Sequence, residues 1–191
     1  MKRLILLRHA KSDWSGPNEP DHDRPLNLRG RLAAPLMGAW IAELAAEGGW
    51  GVDAVLSSTS LRTRETWERL APLIDRPPAP IFDNEIYLAD PETMLEALRK
   101  APETATTVLM LGHNPGIETF AMRLAARGGP KPGRFPTAAA AIFEAADSGQ
   151  VARWADADFG VFQLIAFETP KTLVCPPTPL LSPQHLDLKR K

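Results

Sequence analysis

Three short apolar runs constrain the fold of this chain most strongly. LILL (4–7), DAVLSS (53–58) and TTVLMLGH (106–113) have the length of β-strands and lack the alternation of a half-exposed strand. Runs of this kind are typical of strands that are covered on both faces, as in parallel sheets. We therefore predict that these runs form the interior of a mostly parallel sheet.

Helical patterns separate the apolar runs. Leu32, Leu36, Trp40 and Leu44 recur at every fourth residue, which predicts a helix with one apolar stripe. Pro35 lies inside this pattern and conflicts with it, because an interior proline interrupts or kinks a helix. The alternation of strands and helices predicts an α/β fold, a three-layer α/β/α sandwich in which helices cover both faces of the sheet.

Later segments complete this prediction. A second helix is expected over 61–74, a third begins at Asp90, which is a capping residue type, and Asn114 precedes a fourth in the same way. The segments 137–145 and 161–168 have the composition of strands and flank a turn-rich connection, which predicts a hairpin. The sheet is therefore expected to be mostly parallel with an antiparallel edge.

The size and charge of the chain limit its functional class. Its 191 residues suit one domain, expected over 1–175, followed by an extended or mobile proline-rich tail over 176–191. The formal net charge of −1 argues against a nucleic-acid-binding protein, and no apolar stretch approaches the length of a membrane span. Cys175 is the only cysteine, which excludes an intrachain disulfide. We expect a cytoplasmic protein that binds neither nucleic acid nor a membrane.

Polar side chains follow the apolar runs at one predicted edge of the sheet. Arg8 and His9 come directly after the first run, Arg62 lies about one helical turn after the second, and His113 ends the third. The carboxyl ends of parallel strands meet at the same edge of a sheet, where folds of this type bind ligands. We therefore expect these four residues to share one site.

The four side chains together suit a compact phosphate dianion. Arginine guanidinium groups bind phosphate oxygens bidentately, and helix N-termini attract anions. An imidazole with one unprotonated nitrogen can attack phosphorus when an acceptor holds its other N–H, and a second, protonated imidazole can stabilise the transition state. Each residue alone has a structural explanation, but their convergence predicts phosphoryl-transfer chemistry.

Several motifs, in the same order along the chain, resemble those of a known family. Three of them are similar to the signature elements of the histidine phosphatase superfamily, which includes the cofactor-dependent phosphoglycerate mutases: RHAKSDW (8–14), SSTSLRTRET (57–66) and LGHNPGI (111–117). Three others are most similar to the SixA-type phosphohistidine phosphatases of that superfamily: DRPLNLRG (23–30), PTAAAAIFE (136–144) and FETPKTL (167–173). The likeness covers nearly the whole chain.

The resemblance implies a phosphoglycerate mutase-like fold and a phosphatase that needs neither a metal nor another cofactor. It implies that His9 is the nucleophile and that water hydrolyses the resulting phosphohistidine. It also implies a set of residues that bind the phosphoryl group around His9: Arg8, Arg62, His113, Ser12 and Asn114. Many members use an acidic residue after the third strand as general acid, and Glu85 is the candidate in this sequence.

Departures from the mutase pattern narrow the expected substrate. Ala10 replaces a common glycine, Lys11 stands where mutases have an acid, and Ser15 stands where they have an asparagine. These differences favour the SixA-like branch, and thus a phosphohistidine-bearing protein as the phosphorylated partner. Two alternatives stay open: a phosphatase of small metabolites, and a catalytically silent module that binds phosphate or a phosphoprotein.

Two further residues have simpler explanations. His22, between Asp21 and Asp23, could be half of a metal site, but the sequence holds no matching ligand cluster, so a solvated loop is the prediction. Arg24 could reach the edge of the active site or pair with neighbours of Asp23 in the same loop, and the structural role is the prediction. The role of Lys11 stays open.

Overall fold

The fold is built on a single sheet. A computed structural model describes residues 1–16, 18–146 and 151–174. The strands of this part of the chain are Arg3–Arg8 (β1), Ala54–Ser58 (β2), Pro80–Asp83 (β3), Thr107–Gly112 (β4), Ala140–Ala145 (β5) and Phe162–Glu168 (β6). The helices are Leu28–Gly48 (α1), Leu61–Leu70 (α2), Pro91–Arg99 (α3), Gly116–Leu124 (α4) and Pro170–Val174 (α5). The strand order across the sheet is β3-β2-β4-β1-β5-β6.

The sheet is mostly parallel with an antiparallel edge, as predicted. β4 pairs in parallel with both β1 and β2, and β2 pairs in parallel with β3. β5 pairs antiparallel with β1 and with β6, so the two late strands form the expected hairpin edge. The sequence did not predict β3, because its four half-buried or exposed residues form an outer strand without an apolar run.

Helices cover both faces of this sheet. Along β1, Leu4 and Leu6 pack into one apolar core with residues of α3 and α4, whereas Ile5 and Leu7 pack into a second core with residues of α1 and α2. All four side chains are fully buried. Successive side chains of a strand point to opposite faces, so a strand covered on both sides is apolar throughout. This packing confirms the three-layer α/β/α sandwich.

Helix α1 differs from its predicted pattern. It continues through Pro35 without interruption over 21 residues. The prediction that Leu32 and Leu36 belong to the buried stripe was wrong, because they are 61% and 39% exposed. The buried face consists mainly of smaller residues: Gly30, Ala33, Ala34, Met37, Gly38 and Ile41.

The close approach of α1 to α2 explains which face is buried. A Cβ atom added to Gly38 would lie 3.0 Å from the carbonyl oxygen of Leu70, at the end of α2. Helices that pack this closely need small residues at the contact, so the alanine- and glycine-rich face of α1 turns inward. The leucines at the start of the predicted stripe therefore remain on the surface.

Other helix boundaries were predicted with mixed success. The side chain of Asp90 caps α3, since its Oδ1 accepts a hydrogen bond of 2.8 Å from the backbone N–H of Thr93. The corresponding prediction for Asn114 was wrong: α4 begins at Gly116 without a side-chain cap. The second predicted helix is shorter than expected, because α2 ends at Leu70 and a 3-10 turn follows.

Part of the predicted organisation lies outside the described residues. Cys175 and the tail 176–191 belong to that part, so the domain boundary at residue 175 stays a prediction. None of the helices in the described ranges combines the length and the apolar character that a membrane crossing requires.

Candidate active site

Three neighbouring parallel strands end at one edge of the sheet. β1 ends at Arg8, directly before His9, and β4 ends directly before His113. β2 lies on the other side of β4, and Arg62 follows it in the first turn of α2. This topology brings the four residues together, and all four line one cavity of about 330 Å³. We call this hollow the phosphate cavity.

His9 is a buried, neutral histidine, only 7% exposed. Its Nδ1 lies 2.7 Å from the carbonyl oxygen of Ala10. A carbonyl oxygen only accepts hydrogen bonds, so Nδ1 carries the proton and Nε2 is the unprotonated nitrogen. Burial lowers the pKa of His9 to about 3, and the charges of Arg62 and Arg8 act in the same direction. The ring is therefore neutral at physiological pH.

Helix α2 fixes the backbone next to His9. The backbone N–H of Ala10 donates to Oγ1 of Thr66 over 3.0 Å. The hydroxyl of Thr66 in turn donates to the carbonyl oxygen of Arg62 over 2.6 Å. The last threonine of the SSTSLRTRET motif thus connects the segment of His9 to the helix that carries Arg62.

His113 connects Arg62 to the end of β2. Because guanidinium groups only donate, the 3.3 Å contact from Nη2 of Arg62 makes Nδ1 of His113 an acceptor. Its Nε2 carries the proton and donates to Oγ of Ser58 over 2.8 Å. Burial, followed by the proximity of His9 and Arg62, lowers the pKa of His113 to about 2.

With this low pKa His113 is neutral, whereas the sequence predicted a protonated second imidazole. Without a bound anion, neighbouring positive charge and burial keep His113 neutral. A phosphate dianion beside it would favour the protonated form. The ring centroids of His9 and His113 are 5.0 Å apart, and both residues line the phosphate cavity.

Two buried polar atoms at the site lack a hydrogen-bond partner among the described residues, Nε of Arg8 and Oδ1 of Asn114. Arg8 donates from Nη1 to the carbonyl oxygen of Phe135 over 2.6 Å, and its buried Nε–H has no partner among the described residues. Asn114 was predicted to bind phosphate, but its Nδ2 donates to Glu118 and to the same carbonyl oxygen. Its free atom is an oxygen, which accepts hydrogen bonds and does not suit a phosphate oxygen.

Asp21 is the one carboxylate among the described residues that line the phosphate cavity. Its Oδ2 accepts hydrogen bonds from Nη2 of Arg62 (2.9 Å) and from the hydroxyl of Tyr87 (2.6 Å), and its Oδ1 accepts one from Nη1 of Arg24 (2.8 Å). The hydrogen bond from Tyr87 and the charges of the two arginines lower the pKa of Asp21. The carboxylate is therefore ionised and holds both guanidinium groups in place.

In the sequence, Asp21 stands out only as part of the possible metal half-site around His22, and Tyr87 belongs to no recognised pattern. The Tyr87 ring packs edge-on against His113, with 5.4 Å between centroids. A polar loop has no periodicity that predicts such contacts. The one available signal was the spacing of Asp21 and Arg24, because an acid and a base three residues apart can form an ion pair.

The loop around Arg24 forms another wall of the cavity. Arg24 is buried and donates to the carbonyl oxygen of Asp13 and to Oγ of Ser12, both over 2.8 Å. Its guanidinium lies 3.2 Å from the ring centre of Trp14. Arg24 therefore has the structural role that was expected, and it also lines the cavity beside Ser12 and Lys11. The Ser12 hydroxyl accepts from Arg24 and retains its proton for a bound anion.

Glu85 and His22 do not join the four central residues. Glu85 is exposed and its carboxylate lies 3.5 Å from Nζ of Lys100, outside the described lining of the cavity. His22 contacts Thr59 and Asp23 in the neighbouring loop. Within the described ranges, no group of three or more histidine, cysteine or acidic side chains is placed to hold a metal ion.

The phosphate cavity is strongly positive although the chain as a whole carries −1. Arg8, Lys11, Arg24 and Arg62 line it against the single carboxylate of Asp21, which gives these side chains a formal charge of +3 while both histidines are neutral. Such an arrangement can bind a dianion, attack it with an imidazole nitrogen and stabilise the charge that develops during transfer.

The sequence around these residues is similar to that of other known proteins. The family model of the histidine phosphatase superfamily (branch 1) matches residues 4–84, the segment that contains Arg8, His9 and Arg62. An uncharacterized protein from Mycobacterium tuberculosis is 35% identical over 173 residues, which cover 86% of this chain and 100% of that protein.

Two solved structures share the fold over a similar range. A candidate SixA phosphohistidine phosphatase from Agrobacterium tumefaciens is 30% identical, with a TM-score of 0.65, and the match covers 88% of this chain and 98% of that chain. Another from Nakamurella multipartitia is 27% identical, with a TM-score of 0.72, and the match covers 88% and 96%. The similarity therefore extends well beyond the segment that the family model matches.

Proposed function

Because this chain belongs to the histidine phosphatase superfamily and is a phosphatase, we propose that it hydrolyses protein phosphohistidine through a covalent intermediate on His9. One observation carries the proposal: Nδ1 of the buried His9 donates to the Ala10 carbonyl oxygen over 2.7 Å. This hydrogen bond leaves Nε2 unprotonated beside two arginines. The low pKa of His9, about 3, keeps it so, and no separate base is needed to activate it.

In the first step, Nε2 of His9 forms a bond to phosphorus while the P–N bond of the substrate breaks. Arg62 and Arg8, which both line the phosphate cavity, bind the phosphoryl oxygens and so position phosphorus for attack. The dianion raises the proton affinity of His113, which then stabilises the charge on the group in transfer. The substrate reacts in the form whose second ring nitrogen is protonated, so the departing imidazole leaves as the neutral species.

In the second step, water attacks the phosphorylated His9. The Nε2–P bond breaks, the hydroxide part of water stays on phosphorus, and its proton passes to the released phosphate. The ring returns to its neutral form with Nδ1 still bonded to Ala10. Asp21 holds Arg62 in the same place through both steps.

The acid–base character of the cavity favours a phosphoramidate over a phosphate ester. An alkoxide leaving group needs a proton donor, which contributes about 10²–10⁴-fold to such reactions. Asp21 is ionised and engaged by two arginines, so it is a poor acid, and Glu85 lies outside the cavity. A phosphohistidine whose second ring nitrogen is protonated releases a neutral imidazole, and this leaving group needs no such donor. Phosphohistidine is therefore the substrate class that this chemistry favours.

The covalent intermediate can be trapped directly. We expect brief incubation with a labelled phosphohistidine peptide to give a phosphoenzyme that is stable in alkali and labile in acid. His9→Ala should abolish both the label and turnover, whereas Glu85→Gln should leave both unchanged. Turnover that survives His9→Ala would contradict the mechanism. Phosphate binding without turnover of any phosphorylated compound would support a silent binding module instead.

A comparison of leaving groups tests the substrate class. The peptide phosphohistidine, an aryl phosphate with an acidic phenol and a phosphoserine peptide carry increasingly basic leaving groups. We expect kcat/KM to fall in that order, by about a hundredfold or more for phosphoserine, because no acid assists it. Comparable rates for phosphoserine, or for a small alkyl phosphate, would favour the metabolite phosphatase.

A further inference from the structure

A second hollow lies beside the phosphate cavity, between α1 and α5. It has a volume of about 490 Å³, and its large apolar side chains are those of Leu32, Leu36 and Val174. Their exposed fractions are 61%, 39% and 60%. Single exposed leucines are ordinary, but a contiguous apolar hollow of this size is typical of a binding surface. We call it the apolar groove.

The apolar groove and the phosphate cavity are neighbours. Lys11 and Thr137 line both of them, so these two residues form the ridge between the hollows. Lys11 follows His9 by two residues in the chain. The adjacent part of a protein whose phosphorylated side chain enters the cavity is therefore within reach of this ridge.

The charge around the groove selects an acidic occupant. Lys11, Arg29 and Lys171 are among its lining residues, and no acidic side chain is found among those that the structure describes there. None of the three takes part in the ion pairs of the described ranges. The chain's own residues 175–191 suit the groove poorly, because they contain one acid and end in Lys-Arg-Lys.

We propose that the apolar groove binds an acidic amphipathic helix of the substrate protein, next to its phosphohistidine. The proposal rests on the proposed function. Two helices of this chain contribute the walls, and an amphipathic helix inserts its apolar side chains into a groove of this kind while its polar face meets the rim. Lys11 thereby contacts both parts of the substrate, which gives a role to a residue whose function the sequence left open.

Designed peptides test this docking without a known natural substrate. The short peptide carries phosphohistidine with minimal flanks. The acidic peptide adds about twelve residues that place leucines on one helical face and glutamates on the other, on either side of the phosphohistidine. Its basic twin replaces each glutamate with lysine. All are assayed with the full chain.

The acidic extension should lower KM about tenfold and leave kcat unchanged, because docking stabilises substrate and transition state equally. The basic twin should show no gain. Leu32→Gln with Leu36→Gln should return KM to that of the short peptide without affecting the short peptide itself. Met122→Gln, an exposed apolar residue of α4 that is 39% exposed, is the matched control and should preserve the gain. Arg29→Glu with Lys171→Glu should reverse the preference between the charged twins.

Three results would overturn the proposal. The acidic peptide could be hydrolysed no better than the short one, or its advantage could survive the change of both leucines. An advantage that emerges only after Leu180→Ser with Leu181→Ser would mean that the chain's own C-terminal segment occupies the groove. Turnover of the short peptide and of an aryl phosphate tests the catalytic proposal separately, so a failure of docking is distinguishable from a failure of catalysis.

Discussion

Two buried, neutral histidines determine how the stability of this protein responds to pH. In the unfolded chain, His9 and His113 have ordinary pKa values near 6.5, whereas the folded protein lowers them to about 3 and about 2. Below about pH 6.5 the unfolded state therefore binds more protons than the folded state. The free energy of unfolding must then fall as the pH drops from about 6.5 towards about 3.

The expected slope is large enough to measure. Each histidine contributes on the order of 1.4 kcal/mol per pH unit in the middle of this window. The free energy of unfolding can be measured with denaturant at about pH 7 and at about pH 5. The difference between these two values should be smaller for His9→Asn than for the wild type. Met122→Gln is the control, because it changes an exposed apolar side chain and removes no ionisable group. Equal slopes for all three proteins would contradict the burial argument.

Asp21 controls the charge of the phosphate cavity, and Asp21→Asn separates that charge from its geometry. An asparagine oxygen in place of Oδ2 still accepts from Arg62 and Tyr87, so the arginine keeps its position, while one negative charge disappears. At an effective dielectric constant of about 20, removing a like charge several ångströms from a dianion strengthens binding by roughly tenfold or more.

We expect the inhibition constant of inorganic phosphate to decrease accordingly. Weaker phosphate binding by Asp21→Asn would mean that its contact with Arg24, at 2.8 Å, matters more than charge. Tyr87→Phe is the matched variant that removes a hydrogen bond to Asp21 without changing charge. It should alter phosphate affinity much less.

The residues that sequence reasoning found and missed differ in a physical way. Arg8 is the last residue of a buried strand, and His9 and His113 directly follow buried strands, whose apolar runs can be recognised in the sequence. Asp21 and Tyr87 act through a contact between residues 66 positions apart, which no local pattern encodes. The sequence therefore predicted both imidazoles and two of the four cationic groups of the cavity, but not the carboxylate that holds Arg62 and Arg24.

At the scale of elements, the start of α1 sets the position of the segment that follows His9. The backbone N–H of Asn27 donates to the carbonyl oxygen of Lys11 over 3.0 Å. A Cβ atom at Gly30 would lie 2.2 Å from that same oxygen, so a glycine is required at this point of close approach. Helix α1 thus rests directly on the backbone two residues beyond His9.

Gly30→Ala should therefore impair both stability and catalysis. Overpacking of this kind costs about 1–3 kcal/mol, and a displacement of His9 by about 1 Å lowers kcat/KM up to about a hundredfold. Chemical denaturation and turnover of an aryl phosphate measure the two effects. Gly51→Ala is the control, because a Cβ atom there meets nothing within 4 Å. Wild-type kinetics in Gly30→Ala would show that the Lys11 segment moves without carrying His9 along.

Element-level prediction succeeded where burial was complete and failed where it was partial. The three interior strands were predictable because both of their faces are apolar. The orientation of α1 was not, because a helix with leucines on one side and alanines and glycines on the other can pack by either face. The close contact between Gly38 and α2 requires the small residues to face inward. Leu32 and Leu36 therefore lie on the surface, where they line the apolar groove.

At the scale of the whole molecule, the net charge and the cavity charge have opposite signs. The chain carries −1, which would weakly repel a dianionic substrate, while the side chains lining the phosphate cavity carry +3. Solution ions screen charges beyond about 10 Å at 0.1 M ionic strength. The field that an approaching dianion experiences close to the molecule is therefore that of the cavity, not that of the whole chain.

A salt titration decides which charge governs association. If the cavity governs it, kcat/KM for a dianionic aryl phosphate should fall about threefold to tenfold as ionic strength rises from about 20 mM to about 200 mM, with the change mainly in KM. Lys11→Gln should flatten this dependence because Lys11 lines the cavity, whereas Lys100→Gln should not, because Lys100 pairs with Glu85 elsewhere on the surface. An increase of kcat/KM with salt would mean that the negative charge of the whole chain outweighs the cavity.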